Sequence, residues 1–172
     1  MSFKPKKSLG QNFLVDKNII NKIMYAADIG SNDVILEIGP GTGNLTKFIV
    51  SQKPKNIYLV EKDENLANAL EKLYLNQINI IKKDILKIPD KFYFGKKFLI
   101  LGNLPYNIST KILSEWCLNK SLNVSKMILM FQKEVAERIL ANVDSKDYSR
   151  ISILPKWKFD IKKITDVKPN SF

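Results

Sequence analysis

Short apolar runs alternate with amphipathic stretches along this chain, and that alternation restricts the architectures open to it. Residues 34–38, 56–60, 78–81, 98–101 and 127–131 read as buried strands. Between them, residues 44–51, 64–75, 109–119 and 133–141 read as helices. Leu66, Ala69, Leu70 and Leu73 share one face of the second helix, and Ile112, Leu113 and Trp116 turn inward on the third. Repeated strand–helix units predict a doubly wound parallel α/β sheet with helices on both faces. Ligands of such sheets sit at the carboxyl ends of the strands, near the point where strand order reverses. Residues 148–157 are ambiguous, and Pro155 argues against a long regular helix there. Residues 159–167 alternate like a further strand, and residues 144–147 read as a surface loop.

Composition narrows the chemistry. A chain of 172 residues is long enough for one domain with a real core. No apolar run approaches the ~20 residues of a membrane span. Residues 1–7 are basic with no apolar stretch behind them, so they do not read as a secretory signal. Cys117 is the only cysteine and histidine is absent. Intrachain disulfides, Cys/His metal sites and histidine acid–base catalysis therefore drop out, no metal is expected, and a reducing, cytoplasmic setting is. The net charge of +11 suits a polyanion, nucleic acid first, although a lysine-rich proteome gives basic proteins with no such partner. Residues 91–97 interleave lysines and aromatics, which adds weakly to the nucleic-acid reading.

The chemistry-bearing residues follow the strands. Residues 37–43 (Glu-Ile-Gly-Pro-Gly-Thr-Gly) follow the first strand and open the first helix of the alternation. Gly39 and Gly41 permit close backbone approach to a ligand. A dinucleotide site would place a third glycine at Asn44 or Thr46, and a P-loop would carry a lysine; neither pattern holds. Glu61 ends the second strand about 20 residues on, the spacing at which a carboxylate meets a ribose diol in this topology. Asp84 ends the third strand. It can accept from an adenine amino group with Ile85 as apolar cover, or it can cap the turn that follows. Asn103-Leu104-Pro105-Tyr106 ends the fourth. The Asn103 side-chain oxygen and the Leu104 carbonyl can accept both hydrogens of an exocyclic amine, Pro105 fixes the backbone, and Tyr106 offers a stacking face. A plain polar turn is the alternative.

This ordered set resembles the ribosomal RNA adenine-N6 dimethyltransferases, and most of all their small-subunit branch, the kasugamycin-susceptibility methyltransferases. The matching residues are 10–14 (Gly-Gln-Asn-Phe-Leu), 37–43, Glu61, Asp84, 103–106, 131–139 and 148–150. The Lys-Glu-Val-Ala-Glu-Arg-Ile stretch at 133–139 favours that branch over the antibiotic-resistance enzymes of large-subunit RNA. The resemblance implies a Rossmann-like S-adenosylmethionine-dependent methyltransferase sheet. It implies methyl transfer to N6 of adjacent adenines in small-subunit ribosomal RNA, on the pre-30S particle, by a monomer. Asn12, Leu14, Gly39, Glu61, Asp84 and Asn103 would line the cofactor site, with Asn12 and Leu14 as a lid. Phe172 would cover the target adenine opposite Tyr106. The family also continues past residue 172 with one more strand, which sits in the sheet between the fifth strand and residues 159–167, and with a helical RNA-contacting domain; both are expected to be missing here. The rival readings are a non-catalytic assembly factor on the same fold and a DNA or small-molecule methyltransferase.

Overall fold

The computed structural model describes residues 11–172, so the basic residues 1–7 and Gly10 lie outside the described residues. Five strands and six helices alternate: α1 (Lys17–Ala27), β1 (Val34–Ile38), α2 (Asn44–Ser51), β2 (Asn56–Val60), α3 (Glu64–Leu73), β3 (Asn79–Ile81), β4 (Lys97–Asn103), α4 (Ser109–Leu118), β5 (Asn123–Met130), α5 (Lys133–Leu140) and α6 (Arg150–Lys158). Short 3-10 turns occupy Ile85–Lys87, Asp90–Phe92 and Pro169–Ser171. The helices start where side chains satisfy their free amides. Asp16 accepts from the Asn18 N–H ahead of α1, and Asp63 accepts from Asn65 and Leu66 ahead of α3.

The strands pair in the order β3-β2-β1-β4-β5, all parallel. Chain order runs outward from β1 one way to β3 and the other way through β4 to β5, so the switch point lies between β1 and β4. The register brings the strand ends level: Ile38 sits opposite Val60 and Gly102, Val60 opposite Ile81, and Asn103 opposite Met130. Residues that follow those ends therefore share one edge.

Each face of the sheet buries its own core. Ile35, Leu59, Leu99 and Leu101 pack with α1, α2 and α3 on one side. Leu36, Ile38, Ile100 and Phe98 pack with Ile112, Trp116 and Tyr93 on the other. A third cluster joins Leu113 and Cys117 of α4 to Ile139 of α5 and Ile151 of α6.

The sequence reading left out α1 and read β4 and β5 too short, and three further elements differ. Helix α3 stops at Leu73, which is 64% exposed, because the buried row runs 66, 70, 74 and Tyr74 takes the inward place. Helix α6 forms despite Pro155, which is buried inside it. Proline forfeits one helical hydrogen bond there, and the helix packs against both α4 and α5. Residues 159–167 make no strand. Their alternation instead sends Phe159 and Ile161 into the third cluster and Val167 into the first. A ladder needs an adjacent edge, and here a cleft of about 910 Å³ separates residues 160–167 from β5.

Candidate active site

The turn from β1 into α2 is held in a left-handed backbone at Gly39, Gly41 and Gly43. At Gly41 a Cβ would come within 2.8 Å of the Phe13 ring, so only a bare backbone lets residue 13 lie on the turn. Glu61 ties this turn to the end of β2. One of its oxygens accepts from the Gly41 N–H at 3.2 Å and the other from Asp63 N–H at 2.8 Å. Burial pushes the Glu61 carboxyl above its ordinary value, and the two amides only partly offset this. Each oxygen still has acceptor capacity, so the site fits a vicinal diol.

Asp84, at the end of β3, does two jobs at once. It caps the following turn by accepting from Leu86 N–H at 3.1 Å and pairs with Lys62 at 3.0 Å. Burial raises its pKa, but Lys62 and the Leu86 amide outweigh that and hold the carboxyl below the usual range. The turn-capping reading of Asp84 is therefore met. Ile85 is buried beside it and packs with Val60.

Residues 11–16 cross the carboxyl edge ahead of α1 outside any helix or strand. Phe13 lies on Gly41. The Leu14 side chain turns into the core, and its carbonyl accepts from Asn44 Nδ2 at 2.8 Å. Leu14 therefore anchors the segment, and what it presents to the edge is backbone. The Asn12 carbonyl accepts from Asn103 Nδ2 at 2.5 Å. That bond spends the amino half of the Asn103 amide and leaves Oδ1 as its acceptor. Gly39 stands beside Asn103: a Cβ on it would lie 3.4 Å from the Asn103 carbonyl.

Beyond Asn103, Leu104 is buried, Pro105 opens a turn through the Ile108 N–H at 3.1 Å, and the Tyr106 carbonyl accepts from Ser109 Oγ at 3.2 Å. Tyr106 and Phe172 both line the cleft beside β5, together with Asn12 and Phe131.

Direct contacts thus link Asn12, Gly41, Glu61 and Asn103 with their neighbours, while Asp84 and Ile85 sit two strands away on the same edge. Sequence reasoning missed Phe13 as the cover of Gly41, Asn44 as the tether of Leu14, and the buried partner of Glu37. Glu37 is only 2% exposed and accepts from Thr46 Oγ1 at 2.8 Å. Its place at the head of the 37–43 motif was visible in the sequence; its burial against Thr46 was not. Among the described residues no cluster of His, Cys, Asp or Glu could hold a metal ion, and no helix is long and apolar enough to cross a membrane.

Two solved structures share this architecture. A dimethyladenosine transferase from Plasmodium falciparum superposes with a TM-score of 0.83 at 35% identity, over 94% of this chain and 58% of that one. The 23S rRNA methyltransferase ErmE superposes with a TM-score of 0.67 at 26% identity, over 84% of this chain and 57% of that one. The fold is that of the Rossmann-like methyltransferases. Residues 2–172 match the model of ribosomal RNA adenine dimethylase, and a Pelagibacter ubique ribosomal RNA small subunit methyltransferase A is 51% identical over all of this chain and 66% of its own length. The chain belongs to the ribosomal RNA adenine dimethylase family and spans just under two thirds of that relative.

Proposed function

We propose that this chain transfers methyl groups from S-adenosylmethionine to N6 of adjacent adenines in small-subunit ribosomal RNA, two to each adenine. The observation that carries the reading is the Asn103 amide. Its amino group donates to the Asn12 carbonyl, which supports the reading of its oxygen as the free acceptor at the switch point of the sheet. In this reading residues 1–172 form the methyltransferase domain of a monomer that works in the cytoplasm on the pre-30S particle.

S-adenosylmethionine supplies an electrophilic methyl group on a sulfonium. Glu61 accepts from the ribose hydroxyls, Asp84 from the cofactor's amino group, and Ile85 covers the ring. Gly39 and Gly41 let the backbone approach, and Asn12 and Leu14 close the lid. Asn103 Oδ1 and the Leu104 carbonyl accept the two N6 hydrogens of the target. That draws the nitrogen toward a pyramidal geometry and stabilises the positive charge that builds there. No general base is required before attack: N6 attacks as the neutral amine while the methyl group leaves its sulfur, and the proton left on N6 then passes to solvent. Alignment of the reacting atoms can supply about 7–11 kcal/mol. Stacking on Tyr106, with Phe172 opposite, is worth about 1–3 kcal/mol per base and offsets part of the cost of flipping the adenine out.

The test is calorimetry with S-adenosylmethionine, followed by methyl transfer to small-subunit particles, large-subunit RNA and naked DNA. Binding, with incorporation confined to small-subunit particles, is expected. Asn103→Ala should slow single-turnover transfer by about 10²–10³-fold, the range for loss of one preorganised partner. Absence of cofactor binding would overturn the reading as a whole. Incorporation into large-subunit RNA or DNA instead would overturn its substrate half.

A further inference from the structure

The chain's last turn is fastened to the lid. The Ser171 carbonyl accepts two backbone N–H groups, from Val15 at 2.8 Å and Asp16 at 3.1 Å. Its hydroxyl donates to Asp16 Oδ2 at 2.9 Å, across 155 residues of sequence. The other Asp16 oxygen caps α1 through the Asn18 N–H at 2.8 Å. Ser171 is only 3% exposed, and the Phe172 ring packs on the core cluster that holds Leu14. The base of the lid is therefore clamped between the start of α1 and the turn Pro169–Ser171. From that clamp the chain runs four residues back to Asn12, whose carbonyl fixes the Asn103 amide.

We propose that Ser171 is a positioning residue of the methyl-transfer site. By latching residues 14–16 it sets where the Asn12 carbonyl falls, and so which way the Asn103 amide points. Ser171 touches neither cofactor nor target; it acts through the lid. The proposal rests on the functional reading above for its catalytic consequence, but the latch itself can be read without it. The geometry favours a latch over simple packing, because one residue supplies three polar contacts to two consecutive lid residues. A docked helix or apolar plug would hold the lid without fixing its register. Three hydrogen bonds to Val15 and Asp16 fix it to the residue, which is what a carbonyl that must meet Asn103 Nδ2 needs.

The experiment compares wild type with Ser171→Ala and Asp16→Ser. Serine keeps the α1 cap but is too short to reach the Ser171 hydroxyl, so the second variant stands in if the first does not fold. Amide exchange of residues 11–16 in the unliganded chain is read first. Both variants should exchange roughly three- to tenfold faster there, the span of one lost hydrogen bond, with no change elsewhere in the sheet. Cofactor affinity should fall by a similar factor. Single-turnover transfer should fall further, while the KM for RNA stays put, and Asp16→Asn, whose oxygen keeps the α1 cap while its amide N–H donates to the Ser171 hydroxyl, should retain wild-type values. The double variant should lose no more than either single one. Lid exchange and transfer equal to wild type in both variants would overturn the latch. If wild type binds no cofactor, the functional reading fails, and lid exchange alone still decides the latch.

Discussion

Glu37 is the residue whose chemistry folding changes most. Burial pushes its carboxyl up to about 8, against the pull of the Thr46 hydroxyl and with help from nearby Glu61. Between pH 4.5 and about 8 the folded chain holds this proton while the unfolded chain has lost it. The folded state then binds more protons, so this contribution to stability is full below pH 4.5 and is lost as pH rises to about 8. Wild type should lose up to about 1.4 kcal/mol per pH unit through this window, and Glu37→Gln should flatten that slope in urea titrations run at a series of pH values, leaving the part that Glu61, also raised by burial, adds in the same direction. Gly43 is a second residue with no substitute. Its φ is +83°, and a Cβ there would stand 2.6 Å from a Leu70 methyl of α3. Gly43→Ala should cost about 1–3 kcal/mol, seen as a lower urea midpoint with an unchanged slope.

At the scale of elements, lysines finish helices that have no glycine cap. Lys126 of β5 donates to the Ala26 and Ala27 carbonyls at the end of α1, at 2.9 and 3.0 Å. Lys156 reaches Leu140 and Ala141 past α5, and Lys158 reaches Trp116 and Asn119 past α4. The last carbonyls of a helix have no internal partner, and the helix end carries partial negative charge, so an ammonium satisfies both needs. Lys126→Met should lower stability by about 0.3–1 kcal/mol at low salt and by less at high salt. A thermal melt at two ionic strengths checks this. The two lysines of α6 also help explain how that helix survives Pro155, since they fasten it to both neighbours.

Over the whole molecule, these lysines change how the +11 charge is read. Lys96, Lys126, Lys156 and Lys158 bond to backbone carbonyls, so part of the positive charge has structural work. Lysines such as Lys47, Lys87 and Lys133 are exposed or half-exposed, with no carbonyl partner among these contacts. If the functional reading holds, RNA affinity should fall log-linearly with salt, with slope about −0.7 per phosphate for single strands and −0.9 for duplex. Filter binding across a salt series measures it. A flat response would leave the charge to helix capping and solvation.

The glycine turn, Glu61, Asp84 and the Asn103 tetrapeptide were legible because each is local: a strand's apolar run ends and a polar or glycine residue follows. Strands β1 and β2 and helix α2 fall on their expected residues for the same reason, since burial periodicity within one element is written in that element alone. What joins those residues is not local. The Asn12–Asn103 bond spans 91 residues and the Asp16–Ser171 bond 155. Their partners become neighbours only once the sheet order sets β1 beside β4. The pairing of Asp84 with Lys62, the place Tyr74 takes from Leu73, and the failure of residues 159–167 to form a ladder were settled the same way. A side-chain pattern specifies which face is apolar; which edge, amide or carbonyl meets that face is decided by packing between elements far apart in the chain.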